Sequence, residues 1–214
     1  MTHFSWSPLI IAAIAANANI IHPELSSVTS SSFAPSSHSP PLSGLLALHI
    51  RRGDYVEHCL HIANWSASFM GFNEFPGLPD RFSLPEVPSA GSAPPEELAR
   101  YRAHCFPEIE QIVGRVREVR TALQPSTSLS RVYVLTNGRP EWLAELKEAL
   151  QADARASGFD EWTHIGTSRD LRLTREQQHN AQAMDMAVAQ RAEAFLGNGV
   201  RVSSFFWGGC CLLI

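Results

Sequence analysis

The chain has 214 residues, 44% hydrophobic, 9% aromatic and 18% charged, which fits one or two globular domains and excludes global disorder, collagen-like repeats and coiled coils. A net charge of -4 and an isoelectric point of 6.1 argue against a nucleic-acid partner, which calls for a basic surplus. Four cysteines are too few for a disulfide-built scaffold, and no segment reaches the roughly 20 apolar residues of a membrane-spanning helix.

The most apolar early stretch runs from Pro8 to Ile21, interrupted by Asn17 and Asn19. No Lys or Arg precedes Arg51, so the basic start of a signal peptide is missing. Residues 1–25 therefore read as an N-terminal helical segment, amphipathic or buried. Residues 26–43 hold nine serines in eighteen, with Pro35, Pro40 and Pro41 among them. Such a stretch cannot bury enough apolar surface to order itself, so 26–44 reads as a linker. Leu45–Ile50 follows as a strand buried on both faces. Residues 71–95, rich in Gly, Pro and Ser, read as a long loop.

Pro107 opens a helix whose Ile109, Ile112, Val113, Val116 and Val119 share one face. Arg131–Asn137 is the next strand, and Pro140 starts a helix carrying Trp142, Leu143, Leu146 and Leu150. Trp162–Thr167 is a third, weaker strand. Thr174 with Gln177 three residues on is a capping-box start for a helix reaching about Glu193. Its apolar stripe is Ala181, Met184, Val188, Ala192 and Phe195, and Ala194–Gly197 is the fourth strand. Strands alternating with helices predict an α/β fold, a doubly wound parallel sheet over residues 45–199. Ligands of such sheets sit beyond the carboxyl ends of the strands. The segments expected on that edge are 49–55, 136–138, 167–170 and 197–199.

Arg51, Arg52, Gly53 and Asp54 directly follow the first strand. A guanidinium forks onto phosphate oxygens through two parallel hydrogen bonds and keeps its charge. Gly53 permits a tight turn, and Asp54 can hold one arginine while the other meets an anion; the alternative is an Arg-Asp pair that only closes a strand end. His49 is either a ligand contact or a satisfied core histidine. Asp185 borders the apolar stripe of its helix, so its carboxylate needs a partner or a ligand unless it leans outward or pairs with an arginine. Gly197-Asn198-Gly199 is a turn or a phosphate loop. His58, Cys59 and His61 lack a fourth ligand cluster at suitable spacing, so no metal is expected. Asn64-Trp65-Ser66 is a glycosylation sequon, meaningful if the chain enters the secretory pathway, where Cys59 and Cys105 could pair.

Three segments in order, HIRRGDY at 49–55, VYVLTNG at 132–138 and AQAMDMAVAQRAEAFLGNG at 181–199, resemble the protein O-fucosyltransferase family. The resemblance implies a GT-B architecture of two facing Rossmann-like domains, with the C-terminal one binding GDP-fucose. It puts His49 and Asp185 on guanine and Arg51 on the β-phosphate as the catalytic group, with Arg52 in support. Gly53, Asp54, Asn137, Gly197 and Gly199 frame the site, and the family's phosphate-contacting serine pair falls on Ser203 and Ser204. It further implies fucose transfer with inversion to a protein or glycan hydroxyl, no metal or other cofactor, and a place in the secretory pathway.

The chain departs from the family at both ends. About 44 residues precede the first expected strand, too few for a second Rossmann half, so the chain is expected to be a donor-binding half. Residues 200–214 are an atypical tail. Val200-Arg201 can be encoded by a splice-donor-like GTG-CGT, so the tail is expected to be translated intron and its serines to match by chance.

Overall fold

The computed structural model describes residues 5–27, 41–69, 82–197 and 210–213. In chain order its elements are α1 (Pro8–Ala16), α2 (Ala18–Ile21), a 3-10 turn (Pro23–Ser27), β1 (Leu42–Ile50), α3 (Tyr55–Asn64), α4 (Pro95–Cys105), α5 (Ile109–Leu123), β2 (Arg131–Thr136), α6 (Pro140–Ala156), β3 (His164–Thr167), α7 (Arg175–Gln178), α8 (Ala181–Arg191), β4 (Ala192–Gly197) and β5 (Cys210–Leu213). The strands form one sheet in the order β3-β2-β1-β4-β5, and every neighbouring pair is parallel. This is the expected α/β fold, a Rossmann-like doubly wound sheet, with one strand more than expected: β5, from the tail 200–214 that the sequence reading places outside the sheet, pairs with β4.

Side chains alternate across each strand, so β1 feeds two cores. Leu45 and Ala47 pack with Tyr133, Leu135, Met184 and Val188 beneath α1, α2 and α8. Leu46, Leu48 and Ile50 pack with Val132, Val134, Val116 and Leu146 beneath α5 and α6. A third, smaller core joins α3 to α4 through Tyr55, Ile62 and Tyr101, and Cys59 is bonded there to Cys105 across a Cα separation of 6.0 Å.

Several boundaries differ from the sequence reading. The N-terminal helix breaks at Asn17, whose Nδ2 donates to the Ala13 and Arg172 carbonyls while its Oδ1 accepts the Arg172 N–H. Those bonds to a distant loop replace helix continuation. β1 starts at Leu42 rather than Leu45, because Gly44, at φ +71°, carries a bulge between Leu42 and Leu46 and donates its N–H to Glu193 at 2.5 Å. Helices α3 and α4 were not anticipated. The helix expected from Thr174 to Glu193 is two: Thr174 does cap α7 with Gln177, but the chain turns at Asn180 before α8. β4 begins at Ala192, so Ala192 and Phe195 belong to the strand and not to the helical stripe.

Candidate functional site

The chain visits β1, β2 and β3 on one side of β1, then returns to place β4 on the other side. The crevice beyond the carboxyl ends of β1 and β4 is thus the switch point at which such sheets bind ligands. His49 lies there, level with Leu135 of β2 and Gly197 of β4.

The loop after β1 sends its two arginines to different places. Arg51 reaches outward and pairs with Asp54 at 3.2 Å, with its guanidinium 5.7 Å from the Tyr55 ring. Arg52 is buried, its guanidinium between Phe106 and Trp142 at 4.2 and 4.3 Å from the ring centroids. Trp142 borders the α5–α6 core, on the face opposite His49, and Phe106 borders the smaller α3–α4 core. The Arg52 backbone N–H donates to Asn137 Oδ1 at 2.7 Å, and Asn137 Nδ2 donates to Asp54 at 3.3 Å. Asn137 therefore ties the end of β2 to the loop, and Arg52 is its anchor. The carboxyl of Asp54 is held below the usual carboxylate range by its bond to Arg51.

Gly53 makes this turn possible. It sits at φ +62°, and a Cβ there would stand 3.1 Å from Asn137 Nδ2. Gly53→Ala is expected to cost about 1–2 kcal/mol from the left-handed backbone alone, read as a lowered urea midpoint. A variant as stable as the parent contradicts the turn's role.

On the other face, Asp185 of α8 is met by two hydroxyls. Tyr133 donates to Oδ1 at 2.9 Å, and Ser168 Oγ lies 2.9 Å from both carboxylate oxygens. Ser168 also accepts the Thr136 N–H and lies 3.2 Å from the Val134 carbonyl. One hydroxyl proton cannot serve all these acceptors. With Asp185 ionised, Ser168 donates to it; with Asp185 protonated, the carboxyl donates to Ser168, which turns to Val134. Burial pushes the Asp185 carboxyl up to about 6, with both hydroxyls opposing. His49 is held down at about 4 by burial and then by the Arg51 charge, so its imidazole is neutral at pH 7. Its buried Nδ1 has no hydrogen-bond partner among the described residues.

These shifts act oppositely on stability. From about pH 4 to 6 folded Asp185 keeps a proton that the unfolded chain has released, so stability falls as pH rises. From about pH 6.5 down to 4 the unfolded chain protonates His49 and the folded one does not, so stability rises with pH. The two slopes nearly cancel. Asp185→Asn removes the first and is expected to gain about 2–3 kcal/mol relative to the parent between pH 4 and 6.5, measured by urea unfolding across that range. Parallel pH profiles for variant and parent contradict this account.

A hollow of about 500 Å³ opens beside Ser168, lined also by Lys147, Arg169, Asp170 and Leu173; none of residues 49–54 lines it. Gly199, Ser203 and Ser204 lie outside the described residues. Among the described residues no three His, Cys, Asp or Glu side chains gather as a metal site. The structure thus brings His49, Arg51, Asp54, Asn137 and Gly197 to one edge and Asp185 to the His49 face, while Arg52 is turned away. Tyr133 and Phe106 were not singled out from the sequence; Ser168 was expected at the edge only as part of 167–170, and Trp142 only as an apolar residue of its helix. A tyrosine amid the aliphatic residues of β2 was a usable signal, since its buried hydroxyl must find a partner.

No protein-family model matches the chain, and no curated protein does. Similar solved structures exist. POFUT1 in complex with GDP is 14% identical with a TM-score of 0.49, over 92% of this chain and 42% of that one. POFUT1 in complex with GDP-fucose is 18% identical with a TM-score of 0.46, over 92% of this chain and 41% of that one. A further crystal form with GDP is 16% identical with a TM-score of 0.47, over 92% and 41%. The chain spans about two fifths of the length of these structures.

Proposed function

We propose that the chain binds GDP-fucose at the carboxyl edge of its sheet and, as the donor-binding part of a GT-B fucosyltransferase, passes fucose with inversion to a protein or glycan hydroxyl. One observation carries the reading: at the switch point, the end of β1 presents the Arg51 guanidinium together with the neutral His49, whose buried Nδ1 lacks a partner. A diphosphate suits the first group, and the edge of a purine base suits the second. Asp185, on the same sheet face as His49, offers a carboxylate to guanine N–H donors once it ionises. The motif resemblance points to the same donor.

In the reaction, the acceptor oxygen forms a bond to C1 of fucose as the bond from C1 to the β-phosphate oxygen breaks. The bonding electrons leave with GDP, and the acceptor proton passes to a base on the acceptor side. Negative charge grows on the leaving diphosphate, where Arg51 stabilises it more in the transition state than in the bound donor. The Cys59–Cys105 bond supports a secretory location, because such bonds persist in oxidising compartments.

Calorimetry with GDP, GDP-fucose and adenosine diphosphate tests the donor. Guanosine diphosphates are expected to bind, and to bind more tightly as pH rises through about 6, where Asp185 ionises. Equal affinity for adenosine diphosphate overturns the guanine assignment. Release of GDP in the presence of acceptors supports the transferase reading, whereas binding without release makes the chain a nucleotide-sugar-binding protein.

A further inference from the structure

We infer that Asn64 is a site of N-linked glycosylation. Asn64-Trp65-Ser66 is the only Asn-x-Ser/Thr segment in the chain, and the donor function does not use it. Asn64 closes α3, and in the fold its side chain works through one atom: Oδ1 accepts the Ala93 N–H at 3.0 Å. Among the described residues Nδ2 has no hydrogen-bond partner, and it is not one of the buried polar atoms. The atom that would bear a sugar is thus the one that makes no hydrogen bond among the described residues, on a half-buried side chain. Trp65 beside it is 60% exposed, an apolar face that a first sugar ring can cover.

A second, independent observation is the bond between Cys59, on the same helix, and Cys105. Such a bond forms and persists in secretory compartments, where glycosylation of this kind takes place. The co-reactant is a lipid-linked diphosphate oligosaccharide. Asn64 Nδ2 forms a bond to C1 of the first sugar as the bond from C1 to the diphosphate oxygen breaks. The electron pair leaves with the lipid diphosphate, and one Nδ2 proton is released. In the folded chain the Ser66 hydroxyl donates to Glu97 at 3.0 Å and accepts the Ser89 N–H at 2.7 Å. Transfer therefore precedes closure of α3 against α4, and the finished fold keeps every bond of Asn64. Nine residues of helix, about 13 Å, separate Asn64 from Tyr55 at the ligand edge, so the glycan leaves that edge open.

The test uses the full chain behind a cleavable secretory leader in eukaryotic cells, with peptide mapping before and after an amidase that cuts the glycan–asparagine bond. The peptide spanning position 64 is expected to carry N-acetylhexosamine and to become an aspartate at that position after the amidase. Asn64→Asp, which keeps an oxygen for the Ala93 N–H, is expected to lose the glycan and to unfold at an unchanged urea midpoint. Unmodified asparagine at position 64, in chain from which the leader has been removed, overturns the inference. Because the mapping reads the parent chain, it stands apart from whether GDP binds.

Discussion

Arg51→Ala is expected to weaken GDP binding roughly 10- to 100-fold by calorimetry, the loss that follows from removing a charged hydrogen-bond donor facing a phosphate. Arg51 and Asp54 are both well exposed, with side chains 45% and 70% accessible, and such pairs hold little net energy in water. A diphosphate with two or more charged oxygens outcompetes one solvated carboxylate for the fork. The loop that carries the guanidinium is fixed by Arg52 and Asn137, so a ligand that draws Arg51 from Asp54 leaves those bonds in place. Arg51→Lys keeps the charge but presents a single point rather than a fork, and an intermediate affinity is expected. Equal affinities for parent and Arg51→Ala would falsify the assignment of Arg51.

Gly166→Ala is expected to destabilise the fold by about 3 kcal/mol, at the upper end of overpacking costs, and to lower the urea midpoint accordingly. The cause differs from that at Gly53. Gly166 has ordinary strand backbone in β3, but α2 crosses directly over it, and a Cβ would run into the Ile20 carbonyl oxygen and stand 3.1 Å from its carbon. Both sides of that contact are backbone, so no side chain can swing aside. Moving α2 drags Ile21 out of the core and strains the bonds of Asn17 to Arg172. Moving β3 displaces Ser168, one residue beyond the strand, and with it the hydroxyl facing Asp185. The variant is thus expected to lose GDP affinity along with stability. A midpoint unchanged from the parent would remove the α2–β3 contact from this account.

The unanticipated helices show where periodicity fails. In α4 the buried residues are Glu97, Tyr101 and Cys105, one per turn and only one of them strongly apolar, so the pattern is faint. The start signals were present all the same, in Pro95 at the first turn with Glu96 and Glu97 behind it. Glu97 is buried because Ser66 and Ser89 donate to it, a partnership between segments that no local window contains.

Sequence alone was sufficient for the parallel strands β1 to β4, for α5 and α6 packed on them, and for the placing of 49–55, 136–138 and 167–170 at the carboxyl edge, but not for α3, α4 or β5. The former follow from side-chain periods of two and 3.6, which are properties of a single element. It also marked Asp185 as a carboxylate in need of a partner, since its position beside an apolar stripe is local information. Tertiary structure decided who that partner is: Tyr133 and Ser168 are 52 and 17 residues away and meet Asp185 only when α8 packs on the sheet over β1 and β4, beside β2. It likewise separated two adjacent arginines, one turned to solvent and one stacked between rings from α6 and the end of α4. Neighbours in sequence share composition and charge, but opposite faces of a sheet are different environments. Which arginine meets which is a matter of where distant segments pack.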